Sequence, residues 1–174
     1  MRESCTAGGL SPMADIIPFD RSAASWPDRA KALDRTAEFV LRRGLRPWVD
    51  AMRCAVDPLP EVYAAMTEAG GPAQAAPLVN ALMYSVAMQS LREVIIGCPH
   101  CERLSPDEAR LLHALSEAAN GADHPAESLA PFMRTMALTL LDLQLVGLAR
   151  GLGAAGWRFR RRALPGTSEP APIP

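Results

Sequence analysis

Pro131-Phe-Met-Arg-Thr-Met-Ala-Leu-Thr-Leu-Leu-Asp-Leu-Gln-Leu-Val-Gly-Leu-Ala-Arg150 is the stretch whose reading decides the fold. Met136, Leu138, Leu140, Leu141, Leu143, Leu145, Val146 and Leu148 point almost all round a helix, and Thr135, Thr139 and Asp142 leave only a narrow polar stripe. A helix apolar on nearly every side is buried in a core or crosses a bilayer. Insertion of Asp142 near the middle of a span costs about 2.5–3.5 kcal/mol. Arg134 and Arg150 also shorten the apolar run below the roughly 20 residues that a bilayer needs. The stretch therefore predicts a central helix of an all-α core, starting at Ala126 or Pro131 and ending near Arg150, and integral membrane insertion is disfavoured. A surface helix needs an apolar stripe of only about 100°. The surplus must be covered by other helices of the chain or by a second subunit, and Leu141 and Leu145 are the residues assigned to such an interface. Two-fold dimers are the commonest assembly of this kind.

Outward from this helix, Ser105-Pro106-Asp107-Glu108 is a capping box. Ser105 can accept from the amide three residues on, while Glu108 reaches back to the amide of Ser105. A helix over Pro106 to Ala119 follows, closed by Asn120-Gly121. Upstream, a helix from Ala75 to Ile96 would present Leu78, Leu82, Tyr84, Val86, Met88, Leu91 and Ile95 on a wide apolar face, with Gly97 as a left-handed residue beyond its end. Pro60 starts a helix to Ala69 that stops at Gly70-Gly71, and Pro47 starts a short one to Ala55. The first helix runs from Trp26 to Arg43, with Ser25 as N-cap and Gly44 past the end; Ala30, Leu33, Ala37, Val40 and Leu41 are its buried stripe.

These elements predict a compact single-domain bundle of five to six helices over residues 19–156. A flexible segment is expected over 1–18, and a basic, then proline-rich, flexible tail over 157–174. A length of 174 residues suits one hydrophobic core. Hydrophobic residues make up 49% but aromatics only 5%, so Ala, Leu, Val and Met must fill that core, which favours helices. A formal charge of −1 supplies no global attraction to nucleic acid or anionic membranes. The opening residues have no secretory apolar run, and the four cysteines do not form a disulfide framework, so a cytoplasmic location is expected.

Cys98-Pro99-His100-Cys101 has metal or redox spacing. Two thiolates of such a knuckle can bind zinc, with the remaining ligands drawn from His100, Cys54, His113 or His124. The tetrapeptide is similar, over those four residues, to the active-site motif of thioredoxin-fold disulfide oxidoreductases. That resemblance implies a nucleophilic cysteine opening a helix after a strand, whereas Cys98 follows a helix end. The helical peroxidase-reductase family with the same spacing places a His four residues after the second cysteine, and position 105 is Ser. The alternative is a turn shaped by Pro99 in which the cysteines pack as small apolar groups.

From Leu143 to Ser168 there is no Asp or Glu, and Arg158, Arg160, Arg161 and Arg162 are interleaved with Trp157 and Phe159. Arginine for phosphate and an aromatic for a base is a nucleic-acid-binding combination; a solvated positive tail has the same composition. Leu104 to Leu115 resembles the first helix after the opening of winged-helix regulators, which implies DNA binding, but the following helix is too apolar for a recognition helix. His113 falls with Arg110, Ser116 and Glu117 on an outer face. The expected function is a non-enzymatic interaction or regulatory protein, an adaptor or assembly subunit that binds itself or a protein partner. The alternatives are a zinc or thiol protein using Cys98, His100 and Cys101, and a nucleic-acid-binding regulator using Arg158 to Arg162.

Overall fold

A computed structural model describes residues 24–164. The protein is mostly helical, as the sequence predicts. Its first helical stretch begins at Asp34, whose carboxylate accepts the Ala37 amide at 3.0 Å and caps α1 (Arg35–Val40). The helix does not stop at Gly44. It widens into a π turn over Leu41–Leu45, in which the Arg46 amide bonds back to the Leu41 carbonyl, and continues as α2 (Arg46–Arg53). Pro47 lacks an N–H and would press on the carbonyl four residues before it, so a wide turn lets the helix pass through the proline. Gly44 faces the core. A Cβ there would lie 3.3 Å from Met66 Cε and 3.5 Å from Val79 Cγ1. The glycine thus permits close packing, and its expected role as a helix stop is corrected. The predicted start at Ser25 is displaced as well, because Trp26 to Leu33 form irregular chain and one 3₁₀ turn, Ala30–Ala32.

Asp57 caps α3 (Pro58–Glu68) by accepting the Leu59 amide. After a 3₁₀ turn at Ala73–Ala75 comes α4 (Ala76–Gln89), seven residues shorter at its end than the apolar pattern suggests. The chain leaves the helix because the Leu91 amide bonds to the Phe132 carbonyl, and Ser90 bridges Met133. Tertiary pairing overrides helical propensity there. Gly97 is not left-handed; among the described glycines only Gly70, Gly121 and Gly156 have positive φ. The capping box holds in both directions and opens α5 (Pro106–Ala119) over the residues read from the sequence. A 3₁₀ turn at Pro125–Leu129 leads to α6 (Thr135–Ala154).

One core cluster joins these elements, with Val40, Leu41, Leu45, Val79, Leu82, Leu111, Leu115, Leu141, Leu145, Leu148 and Leu152 among its members. Contacts between Leu78 and Gly151, Ser85 and Gln144, and Gln89 and Arg134 show that α4 and α6 run antiparallel side by side. α5 packs against both α6 and the Pro125–Leu129 turn, which also touches α6.

Residues from 157 to 164 do not leave the bundle. Trp157 packs on Phe39, with ring centroids 4.3 Å apart, and Phe159 is buried. β2 (Arg162–Ala163) pairs in parallel with β1 (Ala24–Ser25). The domain edge expected at 156 therefore lies further along the chain. The segments expected to be flexible at 1–18 and beyond 164 fall outside the described residues.

Candidate functional site

The charge distribution on the α4 and α6 pair defines the first candidate. α4 contains no charged residue, and α6 contains only Asp142 and Arg150. Asp142 accepts the Ala126 amide at 2.7 Å, so it lies on the flank that faces the Pro125–Leu129 turn and away from α4. On the other flank Gln144 Nε2 donates to Ser85 Oγ at 2.9 Å and stitches the two helices together. Met136, Leu140, Leu143 and Gly147 follow one helical stripe beside that seam. Leu78, Ala81 and Met88 flank it from α4. Met136 is 95% exposed, Met88 74%, Leu143 70% and Leu140 50%. Among the described residues, most exposed large apolar side chains belong to α4, α6 or the segment that follows α4, where Leu91 and Ile95 are also exposed.

Leu141 and Leu145, assigned above to a subunit interface, are fully buried inside the chain's own core. That assignment is corrected: helices of the same chain cover them, and the uncovered surplus is one register away, at Met136, Leu140 and Leu143. α6 is long and apolar enough to cross a membrane by length and composition. In the structure its other face is the centre of the bundle.

The loop after α4 carries the second candidate. Both acids in the first turn of α5 hold this loop. Asp107 accepts both Arg92 Nη atoms at 2.7 Å and the Ile95 amide at 2.8 Å. Burial alone would raise its pKa, but these hydrogen bonds and the positive charges of Arg92 and Arg110 outweigh burial and lower it. Glu108 accepts the Gly97 amide at 2.9 Å, the Ser105 amide at 2.8 Å, and Arg46 through both carboxylate oxygens. Arg46 in turn donates to the carbonyls of Cys101 and Arg103. Both side chains of the Arg46 and Glu108 pair are fully buried. The turn from Gly97 to Arg103 is thus clamped from beneath by one ion pair. A Cβ on Gly97 would lie 3.3 Å from both Arg46 Nη2 and Cys101 Cβ, so a larger residue there would press on the clamp.

On this clamp the sulfurs of Cys98 and Cys101 are in bonding contact, with Cα atoms 5.2 Å apart. The Cys98 amide donates to Cys101 Sγ at 3.2 Å. Cys98 is exposed and Cys101 half-buried. His100 is exposed on the same turn, and Cys54 is exposed across a cleft of about 390 Å³ that Pro99 helps to line. Among the described residues no three His, Cys, Asp or Glu side chains gather as a metal-binding group. The zinc set of Cys98, His100 and Cys101 is therefore not assembled, and the two cysteines meet each other instead.

The arginine segment reads differently in three dimensions. Trp157 and Phe159 point inward, while Arg158 and Arg160 point outward, as alternation along an extended chain requires. Arg161 lies 3.9 Å from Glu117. Arg162 donates to the carbonyls of Ser25 and Ala32, faces Asp34 at 3.7 Å, and is nearly covered. Of the four arginines assigned to nucleic acid, Arg162 is a structural tether and Arg161 has an acidic neighbour. The aromatics expected to stack on bases are packed into the protein.

His113 is half-buried rather than on an outer face. Trp26 Nε1 donates to His113 Nδ1 at 3.4 Å, and burial lowers the imidazole pKa below its ordinary value. With Arg110, Glu117, His124, Glu127 and Ser128 it lines a cleft of about 540 Å³. Arg110 is engaged with the Ser128 carbonyl, and His124 lies 3.7 Å from Asp142. No local sequence pattern marks this cleft, because its walls come from α5, the following 3₁₀ turn and the chain near residue 164. The fold defines the protein as a member of the all-α class. No protein-family model, curated protein or solved structure matches this chain.

Proposed function

We propose that the protein is a non-enzymatic helical interaction protein that associates with a second copy of itself through the paired outer face of α4 and α6. The observation that carries this reading is the charge-free stripe of Met136, Leu140 and Leu143 beside Leu78, Ala81 and Met88. Contiguous exposed apolar surface is unfavourable in water and marks an interaction site. Two antiparallel helices present a surface that can meet its own copy about a two-fold axis, forming a four-helix layer with like packed on like. Gly147 adds to the fit, since nothing lies within 4 Å of the position a Cβ would take there, and a partner backbone can approach closely.

Leu143→Glu and Leu140→Glu test the reading. Both positions are exposed in the single chain, so both variants should fold with unchanged circular dichroism. The expected result is a dimeric wild type by light scattering and monomeric variants, with dimer dissociation raised at least about ten-fold, or 1.4 kcal/mol. A wild type that stays monomeric at high concentration removes self-association; if it then floats with lipid vesicles and the glutamate variants do not, a bilayer surface is the occupant instead.

A further inference from the structure

We infer that Cys98 and Cys101 form a reversible dithiol and disulfide site that exchanges electrons with an external dithiol, Cys98 being the sulfur attacked. Three independent features meet at this turn. The sulfurs are already in contact. Their backbone is fixed by a clamp that contains no sulfur: Glu108 holds Gly97 on one side, and Arg46 holds the carbonyls of Cys101 and Arg103 on the other. The two cysteines therefore stay adjacent when the bond between them is opened, so closing it again costs little chain entropy. The third feature is the difference between the sulfurs. Cys98 is open to solvent, whereas Cys101 is half-buried and receives the Cys98 amide proton.

This asymmetry sets the direction of exchange. A thiolate of the incoming dithiol attacks Cys98 Sγ, and the Cys98–Cys101 bond breaks. The electron pair goes to Cys101 Sγ, where the Cys98 amide stabilises the developing negative charge until a proton arrives. The second thiolate of the dithiol then attacks its own sulfur in the mixed disulfide. Cys98 Sγ leaves and takes the second proton. The dithiol has lost two electrons and two protons and become a disulfide, and the cysteine pair has gained them. The reverse steps, with a disulfide-bearing oxidant, restore the starting state. The partner is thus a vicinal or closely spaced dithiol, small or protein-borne.

Full-length protein equilibrated in dithiothreitol buffers from fully reducing to fully oxidising, then quenched and alkylated, tests the inference. Mass spectrometry of the peptide that contains both cysteines keeps Cys5 and Cys54 out of the readout. Complete interconversion in one two-electron transition, with unchanged circular dichroism, is expected. A bond that opens only when the chain unfolds, or thiols that stay reduced in fully oxidising buffer, overturns the inference. The assignment of the attacked sulfur is read separately with hydroxyethyl disulfide. Cys98 in the Cys101→Ser variant should form the mixed disulfide at least about ten-fold faster than Cys101 in the Cys98→Ser variant. Equal or reversed rates overturn that assignment, and the wild-type titration stands even if a variant folds poorly.

Discussion

Arg46 and Glu108 are the residues on which the turn from Gly97 to Arg103 depends. Their atoms pair at 2.8 and 3.1 Å with both side chains fully buried. Removing two charges from water costs several kcal/mol per ion, and is offset only where the remaining donors and lone pairs are also used. Here they are: Arg46 reaches two carbonyls, and Glu108 accepts two amides besides the arginine. Arg46→Ala leaves Glu108 buried without its counter-charge and should cost about 3–5 kcal/mol in urea denaturation. Because the partners share the loss, the double variant Arg46→Ala with Glu108→Ala should lose less than the two single variants added together. Additive losses would show that the pair is not coupled.

At the scale of elements, the helix with the strongest local signal was legible to the residue, and the less local ones were not. α5 begins where Ser105 and Glu108 say it does because both capping bonds form within four residues. Ser105→Ala should lower stability by about 0.5–2 kcal/mol, and a denaturation midpoint equal to that of the wild type would contradict the cap. Elsewhere the same punctuation misled. Gly44 and Pro47 read as a stop and a start, yet the helix passes both, since Gly44 sits in close packing with Met66 and Val79 and the π turn absorbs the proline. The end of α4 was equally hidden: residues 90–96 keep an apolar helical pattern, but the pairing of Leu91 with Phe132 and the hold of Asp107 on Arg92 and Ile95 draw them away. In Trp157-Arg158-Phe159-Arg160 the alternation of aromatic and basic residues was a signal for a half-buried extended segment, and composition alone concealed it.

For the molecule as a whole, the all-α class and the single core were legible, whereas the candidate sites were only partly so. The apolar surplus of α6 could be read from its composition, but the face left uncovered depends on which neighbours pack on it, and that is set by long-range contacts. The same contacts bury His113 against Trp26. Its native pKa is lowered by burial, while in the unfolded chain it returns to an ordinary 6.5. Above that value both states are neutral there and the full stability is present. As pH falls from 6.5 through the lower native value, the unfolded chain binds a proton that the native imidazole refuses, so stability falls. The urea midpoint of the wild type should therefore drop more between about pH 7 and pH 5 than that of His113→Gln. Equal drops would place His113 in solvent in both states.

The pairing of β1 with β2 has a mechanical consequence. The two strands are parallel and come from the first and last described segments, with Ala24 beside Arg162 and Ser25 beside Ala163. Tension transmitted along the backbone from outside these residues pulls β1 and β2 in opposite directions along their length. Their hydrogen bonds are loaded together in shear instead of being unzipped one by one, and the Arg162 tether to Ser25 and Ala32 shares the load. The helices behind this latch are shielded from the force until it slips.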